Sequence, residues 1–547
     1  MDNLKNNFNS NFNSTHTPLI VSFSLGIGII IGLLLSSYQF PKDDVRLSVN
    51  KYGAILNVIE KEYVDTVDVN TLFEESVQHM LSKLDPHSSY VAKEDFITKS
   101  VLDSDFEGIG IKYFYLRDTL FVANVVPNGP SEKAGLLNGD RILAANDSSL
   151  INITNSNTIY NLLRGKAGSE VNLLIHRKRT KETFNLKVKR GKIPNEAADI
   201  ALMINDSTGY ARLNRFSSNS HIELQKQIKE LLKENMSQLI LDLRDNGGGY
   251  LNSAVEICDL FLAPNQDILY TISRGVIETV RKAKNNNPEE SIPLIILINE
   301  NSASASEIVS GALQDNDRAL ILGRRSFGKG LVQTPFILLD ESEIRLTTSR
   351  YHTPSGRNIQ KPYSDSEYSY QDDYRRRIER GELFSEDSVL VNDSLLFKTK
   401  NGRSVYGGGG IHPDIFIPED TSQNTVLLSR LFYNQVIMEY ATIYAANHQQ
   451  AFSSFNAETF ISDFHVTEEL IQGCLTFARD LGIETPKKEI NISKEKIREE
   501  LKIALTLQLF GDVAAKKLRM KTDSFITESL LAFPKIELLL GLSLIHI

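Results

Sequence analysis

The spacing of apolar residues changes several times along the chain and divides it into regions. Over residues 47–96, apolar side chains such as Ile55, Val58 and Ile59 recur at helical spacing. Between 104 and 190 the apolar runs become short and are separated by Gly, Pro and Asn turns. This pattern predicts strands at 110–114, 120–126, 171–176 and 183–188.

From about residue 200 the pattern alternates between strand and helix. Strands are predicted at 209–213, 239–243, 292–298 and 319–322, and helices at 251–262 and 303–314. A further helix is predicted from one apolar face, made of Ile222, Leu224, Ile228, Leu231 and Leu232. Such alternation indicates an α/β domain with a largely parallel sheet. Residues 364–404 read as an excursion from it, and 421–540 are mostly helical by period.

One segment near the start has a different character. Residues 18–38 read PLIVSFSLGIGIIIGLLLSSY, and no charged residue occurs between Lys5 and Lys42. At about 1.5 Å per residue, such a helix would span the ~30 Å hydrocarbon core of a bilayer. We therefore expect a membrane anchor at 17–38 after a disordered tail at 1–16, with a cleaved signal peptide as the alternative. The flanking charges do not decide its orientation.

Composition narrows the class of protein only slightly. The chain has 547 residues, of which 41% are hydrophobic and 24% charged, with a net charge of −9. These values exclude a wholly disordered chain or a fibre. The acidic balance argues against a nucleic-acid binder. Two cysteines cannot form a disulfide framework.

Three loops that follow predicted strands have unusual composition. The glycine loop, 242–249, reads DLRDNGGG and allows backbone N–H groups to approach a ligand closely. The serine loop, 299–307, reads NENSASASE and opens a helix, where a serine can be a cap or a nucleophile. The lysine loop, 323–330, reads GRRSFGKG.

The lysine loop matches the start of a phosphate-binding P-loop, but Gly330 replaces the Ser or Thr that holds Mg²⁺. An NTPase is therefore disfavoured. Lys329 could instead be a general base if it is neutral, which requires its pKa to fall from about 10.4 to about 7–8. Burial can supply the roughly 3–5 kcal/mol that this shift costs. Serine plus lysine is a known substitute for the Ser-His-Asp triad.

Taken together, these loops resemble those of the carboxy-terminal processing, or tail-specific, serine proteases. The resemblance covers about 45–420 and includes LDPHSSY at 84–90, a PDZ-like segment, the glycine and serine loops, and SFGKGLVQ at 326–333, all in the family's order. One departure is Gly247, where the family usually has proline.

The resemblance implies roles for individual residues. Ser304 would be the nucleophile, Lys329 the general base, and Gln333 the residue that orients the lysine. The backbone N–H groups of Gly248 and Ala305 would hold the oxyanion. No metal or cofactor is implied.

The PDZ-like segment is expected to bind peptides. Its sequence FEGIGI at 106–111 resembles a carboxylate-binding loop, in which Gly108, Ile109, Gly110 and Ile111 would capture a C-terminal carboxylate while the peptide adds to a sheet edge. The segment 135–142 matches the usual PDZ turn and strand.

The expected fold is a ClpP/crotonase-like α/β protease core, a mixed sheet with helices, joined to a PDZ-like β-rich domain. The expected boundaries are a helical N-terminal region at 42–95, the PDZ-like domain at 96–190, the core at 191–420 and a helical C-terminal region at 421–547.

The expected function is that of a membrane-anchored endopeptidase that cleaves proteins with exposed apolar C-termini. The alternative is an inactive PDZ scaffold that binds C-termini without cutting them. The resemblance implies a bacterial inner membrane location with the catalytic part in the periplasm, or secretion if the segment is cleaved. The C-terminal region is a candidate for self-association or adaptor binding.

Overall fold

The computed structural model describes residues 43–93, 105–153, 156–177, 180–285, 287–363, 370 and 372–539. The expected tail at 1–16 and anchor at 17–38 lie outside these residues. Among the residues described, none of the helices is long and apolar enough to cross a membrane. The chain forms two compact units that meet in sequence between Leu84 and Asp85.

The first unit contains two helices, α1 (Asp43–Glu62) and α2 (Val69–Ser82). Asp68 caps α2 by accepting a hydrogen bond from the Asn70 N–H at 2.9 Å. The predicted helices are confirmed, but Ile55 and Val58 are exposed.

The second unit begins with β1 (Ser89–Val91) and then a β-rich region. Its elements are β2 (Asp105–Gly108), β3 (Ile111–Leu116), β4 (Thr119–Val125), α3 (Pro130–Ala134), β5 (Arg141–Ala145), β6 (Ser148–Ser149), α4 (Ser156–Leu163), β7 (Glu170–Arg177), β8 (Glu182–Lys189) and β9 (Gly191–Pro194). The main sheet has the order β3-β4-β5-β7-β8, so β3 is an edge strand of it.

The α/β region follows. Its elements are β10 (Ala198–Met203), β11 (Thr208–Leu213), α5 (Ser220–Lys233), β12 (Gln238–Asp242), α6 (Leu251–Phe261), β13 (Asp267–Ser273), β14 (Val276–Lys282), β15 (Leu294–Ile298), α7 (Ala305–Asp315), β16 (Leu320–Gly323), β17 (Leu331–Ile337) and β18 (Glu343–His352). Leu224, Ile228 and Leu231 of α5 are buried as predicted, whereas Ile222 is exposed.

The chain ends in a small excursion and a set of helices. The excursion holds α8 (Asp373–Glu379), β19 (Leu396–Lys398) and β20 (Ser404–Tyr406), and is followed by β21 (Ile415–Phe416). The helices are α9 (Val426–Tyr433), α10 (Val436–Asn447), α11 (Gln449–Phe452), α12 (Ala457–Asp463), α13 (Glu468–Asp480), α14 (Lys487–Phe510), α15 (Asp512–Met520), α16 (Ser524–Ala532) and α17 (Ile536–Leu539).

The central sheet has the strand order β10-β11-β12-β15-β16-β21. All its neighbours are parallel except β10, which runs antiparallel to β11. Helices α5–α7 contribute to the core on one face, and α16 contributes to the core on the other. Because helices cover both faces of the sheet, its inner strands are continuously apolar. In β15, for example, every residue is buried.

Candidate active site

The glycine, serine and lysine loops lie together because they follow the neighbouring parallel strands β12, β15 and β16. The carboxyl ends of parallel strands meet at one edge of a sheet, where ligands bind in open α/β folds. The structure therefore brings Ser304 and Lys329 to the same edge.

Ser304 has an unusual backbone. Its φ is 56° and its ψ is −111°, directly before α7. A non-glycine residue in this region costs on the order of 1–3 kcal/mol, and such strain is concentrated at functional sites. The strained turn places Ser304 at the N-terminus of α7, next to the lysine loop.

The Glu307 carboxylate connects Ser304 and Lys329. One of its oxygens accepts hydrogen bonds from the backbone N–H groups of both Ser304 and Lys329, each at 2.8 Å. The other accepts from the Gly328 N–H at 2.7 Å and from the Ser326 hydroxyl at 2.5 Å. Burial raises the pKa of Glu307, whereas these four donors favour the carboxylate. Glu307 therefore sets the register between the two loops.

Tyr351 connects the same two residues from their carbonyl side. Its hydroxyl lies 2.9 Å from the carbonyl oxygen of Lys329 and 3.3 Å from that of Ser304. The side chain is buried, which raises the pKa of the phenol and keeps it a donor. Ser304 and Lys329 are thus joined at both their N–H and C=O groups.

The environment of Lys329 favours its neutral form. Burial lowers the pKa of its amine, and the positive charge of Arg345 acts in the same direction. The carboxylates of Glu307 and Asp85 oppose this shift, but burial is the largest effect. A lysine in these surroundings is suited to accept a proton.

Gln333 is joined to Asp85 by a chain of two hydrogen bonds. Its side-chain amide donates to the Thr347 hydroxyl at 3.3 Å, and Thr347 donates to the Asp85 carboxylate at 3.1 Å. The Asp85 carboxylate opposes the lowering of the Lys329 pKa by burial. Gln333 therefore reaches Asp85 through Thr347, and Asp85 in turn affects the pKa of Lys329.

Gly248 lies against the serine loop. A Cβ atom at this position would lie 2.9 Å from the Cβ of Ser304 and 3.0 Å from the Ala305 nitrogen, so only glycine fits. The Gly248 N–H donates to the Asn246 side-chain oxygen at 2.9 Å. An oxyanion at this N–H would have to share it with Asn246 or displace Asn246.

The LDPHSSY motif forms part of the same neighbourhood. Its Asp85 accepts hydrogen bonds from the backbone N–H groups of His87 and Ser88, each at 2.8 Å. The His87 ring contacts the Tyr370 hydroxyl at 2.6 Å. Burial and the charge of Lys329 lower the pKa of His87 to about 4, so this imidazole is neutral at pH 7. The motif thus contributes the buried Asp85 carboxylate and the neutral His87 imidazole to the surroundings of Lys329.

The proposed carboxylate-binding loop lies at the start of β3. Gly110 has a φ of 74°, and its carbonyl oxygen accepts a hydrogen bond from the Val126 N–H at 3.0 Å. Ile109 is buried in the core of the β-rich region. The loop therefore leads directly into an edge strand, which is the geometry required for strand addition.

Sequence reasoning missed the contributions of Glu307, Tyr351 and Asn246. A signal for Glu307 was present, since Ser304 and Glu307 have the S-x-x-E spacing of a capping box. Tyr351 lies on β18, where no local pattern marks it. Asn246 lies within the glycine loop, whose composition marks the loop but gives no sign of the role of this side chain.

Comparison with known proteins shows which families the chain resembles. Residues 207–367 match peptidase family S41, residues 108–188 match the PDZ domain, and residues 427–511 match a family of unknown function. The carboxy-terminal-processing protease of Bartonella bacilliformis is 36% identical over 352 residues, which cover 62% of this chain and 80% of the relative.

Two further similar proteins are a curated relative and a solved structure. The carboxy-terminal processing protease CtpB of Bacillus subtilis is 34% identical over 57% of this chain and 66% of its own length. A solved photosystem II D1 C-terminal processing protease is 29% identical, covers 56% of this chain and 83% of its own, and has a TM-score of 0.34. On the strength of the Bartonella relative and the S41 match, this PDZ-containing chain belongs to the carboxy-terminal processing proteases, which are serine-type peptidases.

Proposed function

We propose that this peptidase is an endopeptidase in which Ser304 is the nucleophile and Lys329 the general base. The observation that carries the proposal is the Glu307 carboxylate, which holds the backbone N–H groups of both residues at 2.8 Å. Neutral Lys329 would take the hydroxyl proton as the Ser304 oxygen attacks a peptide carbonyl. The tetrahedral intermediate would then collapse with breakage of the C–N bond, and Lys329 would give the proton to the leaving amine. Water, losing its proton to Lys329, would hydrolyse the acyl-enzyme and release the acid product and the Ser304 hydroxyl.

The oxyanion would be held by the backbone N–H groups of Ala305 and Gly248. A Cβ atom at Gly248 would lie 3.0 Å from the Ala305 nitrogen, and this proximity supports the pairing of the two donors. Substrate binding would have to weaken the bond from the Gly248 N–H to Asn246, because that donor is engaged in this structure. A single oxyanion donor typically supplies about 2.7–4 kcal/mol of transition-state stabilisation.

The substrates would be proteins whose apolar C-terminal tails bind at residues 108–111. Edge strand β3 supports this, because no other strand of the described residues pairs with its outer edge. A peptide could pair there while its carboxylate meets the loop that precedes β3.

Tail recognition predicts that a peptide with a free C-terminal carboxylate is cleaved faster than the same peptide amidated. Loss of charge-assisted hydrogen bonds worth about 1.5–3 kcal/mol should lower kcat/KM about 10- to 100-fold, as followed by mass spectrometry. Gly110→Ala should erase this preference, because Gly110 has a φ of 74° and its Cβ would lie 2.8 Å from Ile193. Gly168→Ala, at a φ of 90° with open space around it, is the matched control. Equal cleavage of both peptides would contradict tail recognition.

Residues 18–38 would anchor the chain in the bacterial inner membrane, with the catalytic part in the periplasm. The apolar sequence of this segment supports the anchor, and the family resemblance supports the location.

Anchoring predicts that the protein stays in the membrane pellet after alkaline carbonate extraction. Ile29→Lys combined with Leu33→Lys should move it to the supernatant, since each central lysine costs about 2.5–3.5 kcal/mol on insertion scales. Ile29→Leu combined with Leu33→Ile is the apolar control. Wild-type protein that is soluble and lacks the first residues by intact mass would favour a cleaved signal peptide instead.

A further inference from the structure

An aromatic side chain of the C-terminal helices lies between two arginines of the loops at the active site. Phe525 of α16 lies 4.4 Å from the guanidinium carbon of Arg244, measured to the ring centroid, and 5.5 Å from that of Arg324. The Phe525 side chain is buried. Arg244 belongs to the glycine loop and Arg324 to the lysine loop, so one ring contacts both loops.

Ion pairs fix each of these arginines in place. Arg244 contacts the buried Asp242 at 2.6 Å and Asp523, the N-cap of α16, at 2.7 Å. Arg324 contacts the buried Glu300 of the serine loop at 2.8 Å. The guanidinium groups are therefore held in a fixed orientation toward the ring. The attraction between a cation and an aromatic ring is stronger when the cation is desolvated.

Phe525 also packs directly on the strand that leads into the lysine loop. A Cβ atom at Gly323, where φ is 131°, would lie 2.9 Å from the Phe525 ring. The ring borders a cleft of about 770 Å³ that opens to solvent, so a smaller side chain would enlarge that cleft and leave no sealed cavity. A change at Phe525 should therefore affect the loops more than the fold.

We propose that Phe525 is a positioning residue for the peptidase reaction. It holds the glycine loop and the lysine loop at the separation that brings Gly248 and Lys329 to Ser304. This inference rests on the proposed roles of those three residues. It gives the C-terminal helices a part in catalysis without any contact to substrate.

The test compares Phe525→Leu with Phe533→Leu in the full chain. Phe533 is equally buried in the same apolar core, so its truncation reports the cost of lost packing alone. Phe525→Leu should lower kcat about tenfold with KM within about twofold, because a lost cation–π contact loosens both loops. Hydrogen exchange should become faster at 242–249 and 323–330. Phe525→Tyr keeps the aromatic face, so its kcat and its hydrogen exchange in the two loops should equal those of the wild type.

Two results would overturn the inference. One is a kcat for Phe525→Leu equal to that of Phe533→Leu. The other is unchanged exchange in the two loops. If wild-type protein fails to cleave tailed peptides, the proposed function fails instead. The exchange measurement needs no catalysis, and it then decides by itself whether Phe525 holds the loops.

Discussion

Ser304→Ala is expected to abolish peptide cleavage while the protein stays folded. The hydroxyl oxygen is the proposed nucleophile, and loss of a nucleophile in a serine protease removes up to about 10⁶-fold in kcat. The backbone N–H of residue 304 still reaches Glu307 in the variant, so the register of the loops is retained. The measurement is the rate of product formation from a tailed peptide by mass spectrometry, with circular dichroism to check the fold.

Ser302→Ala is the informative control for this variant. Ser302 lies in the same loop, is buried, and donates its hydroxyl to the Leu243 carbonyl at 2.8 Å. Its loss should reduce stability and leave some activity, because the nucleophile remains. Full activity in Ser304→Ala would overturn the dyad. Inactivity of the wild-type chain with intact tail binding would favour the alternative of a PDZ scaffold.

Lys329→Met is expected to reduce kcat/KM by about 10³-fold or more. A neutral amine is needed to take the proton of the Ser304 hydroxyl, and methionine cannot accept it. Lys329→Arg should be equally inactive, because a guanidinium stays protonated at any accessible pH. If the arginine variant retained activity, a positive charge would be the requirement and the general-base role would be wrong. In wild-type protein, activity should rise with pH as the amine loses its proton.

The same lysine should also affect stability. Its folded-state pKa is lowered by burial, so the unfolded chain binds more protons at pH values between the folded and unfolded pKa. The cost to folding is therefore greatest below the lowered pKa and vanishes above the usual value of about 10.4. Lys329→Met should accordingly have a higher Tm than wild type at neutral pH, and the difference should disappear in alkaline solution.

The three loops could be singled out from the sequence, whereas the side chains that join them could not. Glycine and serine clusters after apolar runs were sufficient to single out the loops, and the family resemblance named Gly248, Ser304 and Lys329 within them. The structure brings the loops together because parallel strands end at one edge of the sheet. Tyr351 and Phe525 join these loops from distant parts of the chain. Apolar periodicity cannot reveal such contacts, because an aromatic residue at a buried position has the same pattern whether or not it joins two loops. Ile222 shows the opposite error, in which the apolar pattern predicted burial and the side chain is exposed.

The four hydrogen bonds of Glu307 have a practical consequence for chemical biology. Three of them come from backbone amides, so these contacts need no particular side chain at position 304 or 329. We therefore expect the loop register to be kept when a cysteine at 304 is introduced as a handle for covalent probes, or when Lys329 is replaced by a blocked lysine analogue. A probe designed on either exchanged side chain would report the geometry of the native enzyme.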